Sequence, residues 1–275
     1  MPHLSLTTWS LHRNLGPLRW TAWDEETNSQ TTRIEEQPET ISLLELPAEL
    51  VKQNFSSLEV CHFHFPRTDA EYLAQLRNKF TGSGLIFHCL LVDYGDISHA
   101  DPVRRESDLT FIKKWIDIAE RVGAKSVRVV AGEASPDDSL ALARSIQGLK
   151  ELVDYAEPKG VRIVTENFKP LASTSANCQE IISAGNQQIG LTVDFGNFNK
   201  AEKYEAIEAL MPVAESVHAK ANYNQEGIIN EEEYRRSLAL VMKSNYNGPI
   251  TLVYDGPGDL WAGIDRIKSV VESIL

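Results

Sequence analysis

Residues 161–197 read VRIVTENFKPLASTSANCQEIISAGNQQIGLTVDFGN. Two short apolar runs, Val161–Glu166 and Ile189–Asp194, flank a longer mixed stretch, and each ends on a carboxylate. Short β-branched runs alternating with helix-length segments are the mark of repeated strand–helix units. The same unit recurs in both directions. Its apolar runs are Leu4–Trp9, Leu58–Phe63, Leu85–Val92, Ser126–Ala131, Val161–Glu166, Ile189–Asp194, Ser216–Lys220 and Ile250–Tyr254. Helical period is clear between them. Asp108–Val122 places Ile112, Trp115, Ile116 and Ala119 on one face and stops at Gly123, and Asp138–Glu157 carries a stripe of Leu140, Ala143, Ile146, Leu149 and Val153. Asn230–Lys243 opens with an Asn cap and an acidic first turn, and Ala262–Leu275 closes the chain. Eight strands, each leading to a helix with no break in composition, predict a single α/β domain over residues 1–275, a (β/α)8 TIM barrel.

One segment departs from the repeat. Residues 14–41, between the first strand and the first helix, are polar and carry Trp20 and Trp23. A loop of that length is a lid, an interaction surface or a disordered stretch. The two tryptophans predict an ordered one, lying over the barrel mouth or against a second subunit of a homodimer. Charge narrows the partners. Lys plus Arg number 27 against 39 Asp plus Glu, a net charge of −12 in 275 residues, so the surplus that drives phosphate-backbone binding is missing and nucleic acid is not expected. No apolar stretch approaches the ~20 residues that span a bilayer, so no membrane is expected either. Cys61, Cys89 and Cys178 are odd in number and widely spaced, which reads as reduced thiols. Met1–Ser10 has neither a basic start nor a long apolar core, so a cytoplasmic protein is the expectation.

Parallel barrels build their sites at the C-terminal ends of the strands. The fifth run ends Val164-Thr165-Glu166-Asn167, the sixth Thr192-Val193-Asp194-Phe195-Gly196-Asn197, and the seventh reads Ser216-Val217-His218-Ala219-Lys220. Each places an ionisable group where a strand core predicts another Val or Ile. The period of 2 puts Val164 with Glu166, Thr192 with Asp194, and Ser216 with His218 and Lys220 on one face. Two carboxylates and an imidazole from three consecutive strands can converge on one divalent cation, a donor mix suited to Mn²⁺, Mg²⁺, Co²⁺ or Zn²⁺. The alternative is three independent polar groups hydrogen-bonded into the barrel rim.

With these motifs in hand, the chain resembles the xylose-isomerase-like TIM barrels, in the branch of small sugar isomerases and epimerases related to the AP-endonuclease-type barrels. The resemblance runs through nearly the whole chain. It is carried by Thr-Glu-Asn (165–167), Val-Asp-Phe-Gly-Asn-Phe (193–198), Val-His-Ala-Lys (217–220) and Tyr-Asp-Gly-Pro-Gly-Asp-Leu-Trp-Ala-Gly-Ile (254–264), with Arg128–Gly132 at the end of the fourth strand. In that family a Glu, an Asp, a His and a Glu on strands five to eight hold the metal, and the first three match Glu166, Asp194 and His218. The two glutamates also commonly move a proton at a carbon next to a carbonyl. The resemblance therefore implies isomerisation or epimerisation of a sugar through an enediolate, with a carbohydrate or sugar acid as substrate.

The eighth strand departs from the pattern. It reads Ile250-Thr251-Leu252-Val253-Tyr254-Asp255-Gly256, so the fourth ligand and second acid/base is Val253. The family's frequent His three residues beyond the sixth-strand Asp is here Asn197. Two replacements are in reach: Asp255, one strand step of about 6.5 Å nearer the mouth, and Lys220, whose pKa a neighbouring cation would depress. Glu166, Lys220 and Asp255 are thus the candidate catalytic groups. Asn167, Asn197, Arg128, His64, Glu133 and Trp261 are candidate substrate contacts. His62 and His64 compete with Glu59, Cys61 and Phe63 for the inward face of the second strand. Asp93, Asp96, His99, Arg104 and Arg105 lie in the long loop after the third. Three readings stand side by side. One is a divalent-metal sugar isomerase or epimerase. The second is a catalytically reduced barrel that binds a sugar or sugar acid, with its metal weakened or lost through Val253. The third is a metal-dependent lyase or dehydratase on a sugar acid. An abasic-site endonuclease of the same barrel type is disfavoured by seven histidines in all and the acidic balance.

Overall fold

In a computed structural model that describes residues 2–199 and 201–275, the repeating runs become eight parallel strands closed on themselves. The first is β1 (His3–Thr7). Next come β2 (Leu18–Asp24) and β3 (Ser29–Glu35), an antiparallel pair outside the barrel. The other barrel strands are β4 (Ser57–Cys61), β5 (Ile86–Val92), β6 (Ser126–Val129), β7 (Arg162–Glu166), β8 (Ile189–Asp194), β9 (Ala214–Lys220) and β10 (Pro249–Val253). β1 pairs with β4 on one side and β10 on the other, which closes the ring. The helices are α1 (Leu46–Lys52), α2 (Ala70–Ser83), α3 (Pro102–Val122), α4 (Ser139–Ala156), α5 (Ser175–Ala184), α6 (Lys203–Leu210), α7 (Glu231–Lys243) and α8 (Leu260–Glu272). The expected (β/α)8 barrel is what forms.

Local signals start and stop these helices. Asp69, Asp101, Asp138, Thr174, Asn230 and Asp259 each accept a backbone N–H of the first helical turn through the side chain, and left-handed Gly84 and Gly123 end α2 and α3. Asp101 followed by Pro102 is why α3 begins six residues before the Asp108 expected from apolar periodicity. Leu4–Trp9 and Leu58–Phe63 also end early as strands. Thr8–Leu11 and His62–His64 are 3-10 turns, with the Thr8 hydroxyl taking the Cys61 N–H (2.9 Å) where the ladder stops.

Strand alternation separates two environments. Leu4, Leu6, Leu58, Val60, Ile163, Val193, Val217 and Leu252 pack outward against the helices in one continuous core. Inward-facing positions are unusually polar for a barrel filled with Val, Ile and Leu: Ser5, Thr7, Ser57, Glu59, Ser126, Arg128, Glu166, Thr192, Asp194, Ser216, His218 and Thr251 are all buried. A small apolar cluster of Cys61, Phe63, Cys89 and Leu91, joined by Leu18, sits nearer the mouth. The three cysteines are free and buried, and burial pushes the Cys89 and Cys178 thiols up to about 12, far from the thiolate form that reacts.

The 14–41 insertion is ordered, but it is a hairpin and not an irregular loop. β2 and β3 pair along their whole length, from Leu18 opposite Glu35 to Asp24 opposite Ser29. Residues 18–35 carry Trp20, Thr21, Trp23, Thr31, Thr32 and Ile34, residue types that favour strands, but among polar neighbours that hide the pattern. Of the two placements expected, this chain alone shows the one over the mouth. Gln30 donates to Ser107 (2.9 Å) and Asp108 (3.2 Å) on α3, and Arg104 lies 4.7 Å from the centre of the Trp23 ring. Among the described residues no helix is long and apolar enough to cross a membrane.

Candidate active site

The C-terminal ends of the strands surround a cavity of about 300 Å³. Its floor carries Arg128, Glu166, Asp194, His218, Lys220, Val253 and Asp255, and its wall is aromatic, with Trp9, Trp20, Phe63 and Phe168. Trp20 comes from the hairpin. Its ring sits 4.3 Å from that of Phe63, and its indole N–H is fixed by Glu35 (3.0 Å). A polar floor under an apolar, aromatic roof suits a small polyhydroxylated ligand, whose hydroxyls and C–H face want different surroundings.

Glu166, Asp194 and His218 each offer a ligand atom, all within 4.8 Å of one another. Nδ1 of His218 lies 3.4 Å from Glu166 Oε1 and 3.6 Å from Asp194 Oδ2. Asp194 is set by its own backbone: its N–H donates to Asn167 Oδ1 (2.7 Å), and the Asn167 amide returns a bond to its carbonyl (2.9 Å). Glu166 is held by Asn197, which donates to Oε1 (3.1 Å). Its other oxygen, Oε2, is buried without a hydrogen bond. Arg128 Nε is 3.0 Å from that oxygen, close enough for charge attraction but not aligned to donate. An orphaned buried carboxylate oxygen beside a second carboxylate and an imidazole nitrogen fits a divalent cation. Those three residues would hold it. Val253 adds nothing to the shell and leaves that side for water or a ligand.

Charge at the floor follows from this crowding. Burial alone would lower the His218 pKa, but the Glu59 and Glu166 carboxylates raise it well above the usual imidazole range. Burial works against the Glu166 charge, and Arg128 and His218 overcome it, so its pKa lies below normal. Arg128 is bonded to Asp93 as well as facing Glu166, with its guanidinium 5.3 Å from the centre of the Phe168 ring. It neutralises carboxylates inside the barrel and lines the cavity, with Nε buried and without a hydrogen bond. At Lys220 burial works to depress the pKa, but Asp194 and Asp255 raise it, and Asp255 Oδ2 lies 2.6 Å from Nζ. Asp255 in turn is bonded to the Tyr223 hydroxyl, and burial, which would raise its pKa, is outweighed by Lys220. The Lys220–Asp255 pair stands in the cavity lining beside Val253 at the end of β10.

The other candidates divide. Asn197 lines the cavity, and Asn167 acts one layer behind, on the Asp194 backbone. His64, Glu133 and Trp261 do not line it. Cys61 and Phe63 take the inward face of the second barrel strand, so His64 turns back onto Thr8 Oγ1 (2.8 Å). Glu133 is exposed at the rim, 3.2 Å from Lys169, and Trp261 packs against the outer core. Two further residues belong to the site: Asp93, bonded to Arg128, which nothing in the sequence sets apart from the other polar residues of its loop, and Glu59, bonded to His218. Glu59 is a carboxylate inside an apolar run, the same signal that singled out Glu166 and Asp194.

The displaced histidines give a pH signature. Burial pushes His62 down to about 4 and His64 down to about 3. In the unfolded chain both titrate near 6.5, so below that pH the unfolded state binds protons that the folded state refuses. Stability is full above pH 6.5 and falls on acidification. Between pH 7 and 5.5 urea unfolding should lose about 1 kcal/mol per histidine. The double variant His62→Gln/His64→Gln should show a flatter limb; an unchanged slope in that variant would contradict the assignment.

The profile of the family described as "Xylose isomerase-like TIM barrel" matches residues 47–272. The chain belongs to that family. No curated protein matches it by sequence. Solved structures match it closely in fold. An L-ribulose 3-epimerase aligns with a TM-score of 0.72 at 14% identity, over 99% of this chain and 95% of that one. The IOLI protein with a bound zinc atom gives 0.72 at 17%, over 99% of each chain. A xylose isomerase-like TIM barrel protein from Mycobacterium smegmatis in complex with magnesium gives 0.67 at 14%, over 99% of this chain and 96% of that one. At such identities the likeness is one of fold.

Proposed function

We propose that this barrel is a divalent-cation-dependent isomerase or epimerase of a small sugar or sugar acid, moving a proton at the carbon next to a carbonyl. The observation that carries the reading is the convergence of Glu166, Asp194 and His218 on the floor of a monosaccharide-sized cavity. Family membership, and epimerases among the proteins of like fold, support the same class.

The chain's own groups suggest a division of labour. A bound divalent cation would polarise the carbonyl and neighbouring hydroxyl oxygens and so acidify the carbon between them. Glu166 accepts the proton from that carbon on one face, giving an enediolate. Lys220, charged and held by Asp255, donates its proton to the other face. Exchange with water then returns both groups to their starting states. The aromatic wall excludes bulk water from the intermediate and stacks on the C–H face of the ring or chain. Asn197 keeps Glu166 oriented.

Solvent exchange tests this directly. The protein loaded with Mn²⁺ is incubated in D₂O with a panel of ketopentoses, ketohexoses and their aldose and acid counterparts, and followed by NMR. Deuterium should enter next to the carbonyl of one class, with an epimer or isomer appearing alongside. Lys220→Met should retain exchange at the Glu166 face and lower epimer formation by roughly 10²–10⁴-fold. Unimpaired epimerisation in that variant would remove Lys220 from the mechanism. A product one water lighter would identify a dehydratase, which begins with the same proton abstraction. Val253 favours the second reading, a sugar-binding barrel without turnover. Saturable sugar binding with no exchange in any substrate would establish it.

A further inference from the structure

Glu59 sits in the middle of β4, fully buried inside the barrel, and does not line the cavity. A carboxylate there is expensive, because charge is removed from water at a level where most barrels place an aliphatic side chain. Its surroundings are built to keep it. Ser216 on β9 and Thr251 on β10 both donate to Oε1 at 3.0 Å, and His218 Nε2 lies 2.6 Å from Oε2. His88 Nε2 is 3.9 Å from Oε1 on the side away from the mouth. Glu59 therefore touches no substrate, yet three strands are arranged around it.

One consequence is geometric. An imidazole has two nitrogens, and the partner of one decides which lone pair the other presents. Glu59 accepts at Nε2, and the opposite nitrogen, Nδ1, faces Glu166 Oε1 and Asp194 Oδ2. The two hydroxyls on Oε1 stop the carboxylate from rotating out of the ring plane's reach. We infer that Glu59 is a positioning residue for the cation site: it holds the Nε2–H of His218 and so aims the Nδ1 lone pair into the ligand cluster. The inference rests on the cation-binding reading proposed above. A purely structural Glu59 would affect stability alone and leave ring tautomer and cation affinity unmoved.

The test uses the full chain with Zn²⁺ as the probe, calorimetric titration for affinity, and ¹⁵N NMR of histidine-labelled protein for the His218 ring. In the wild type the zinc-loaded ring should show Nε2 protonated and Nδ1 as ligand. Glu59→Leu should weaken zinc binding roughly 10–100-fold and leave the ring in a mixture of tautomers. Glu59→Gln, whose amide oxygen can still accept from Nε2–H, should keep the tautomer and lose about tenfold in affinity; it serves if the leucine variant fails to fold. Zinc affinity within threefold of wild type in a folded variant, with the same ring pattern, would overturn the positioning role even if stability had changed. A wild type that binds no zinc would instead overturn the cation reading, and this inference with it.

Discussion

Asp194→Asn should leave a folded barrel that no longer retains a cation. Most of what fixes residue 194 is its backbone: the N–H and carbonyl are both held by Asn167, at 2.7 and 2.9 Å. The side-chain Oδ1 accepts the Gly196 N–H at 2.5 Å, which an amide oxygen can also do. The amide can therefore stand where the carboxylate stood. What it cannot supply is the second anionic oxygen, Oδ2, facing His218 Nδ1. Among the described residues three candidate ligand residues converge here, and Val253 offers no fourth, so losing one leaves two. The loss should exceed the ~10–100-fold that outer-shell partners are worth. After loading with Mn²⁺ or Zn²⁺ and desalting, elemental analysis should find about one ion per wild-type chain (one three-residue site) and close to none in the variant, with an unchanged far-UV spectrum. Glu166→Gln should do the same and abolish proton exchange, since the ligand and the base are one residue. A full complement of metal in either variant would dissolve the shared site into separate rim residues.

How far the sequence led can be judged from particular residues. Barrel strands are legible because both faces are buried, so their β-branched runs stand out from helices of clear period. Glu166, Asp194 and His218 are legible for the converse reason: an ionisable group ending an apolar run has few structural excuses. The hairpin was missed because a polar two-stranded ribbon lacks an apolar face of its own; Trp20 and Trp23 gave away its order but not its shape. His64 misled because alternation fixes which residues share a face and not which face looks inward. That choice was made by packing, with Cys61, Phe63 and Leu91 filling the mouth. Glu59 needed the fold before its meaning was visible. Its partners Ser216 and Thr251 are 157 and 192 residues away, and small hydroxyl side chains announce nothing in a sequence.

Val253→Glu should strengthen cation binding, and the reason lies in the neighbours of that valine. Val253 is the last residue of β10, pairs in register with Lys220 on β9, and lines the cavity floor with the three ligands. A carboxylate there would enter a site that already holds two ligand carboxylates, so without a cation it would be repelled by Glu166 and Asp194. With a cation bound, that repulsion becomes a fourth bond. The difference between the two states sets the gain, because a ligand that binds one state better shifts the balance toward it. Ligand charge count moves divalent affinities over decades, and an increase of roughly 10–100-fold for Mn²⁺ is expected. Lys220 is the competitor. It is already bonded to Asp255 at 2.6 Å, but it could turn to the new carboxylate. Val253→Glu/Lys220→Met separates the cases. If the single variant gains affinity and the double variant gains more, residue 253 is the position the family uses and Lys220 has been drawing on it. If neither gains, the backbone at the end of β10 does not aim position 253 at the cluster. The three-ligand site would then be complete as it stands, with Asp255 and Lys220 serving the substrate rather than the cation.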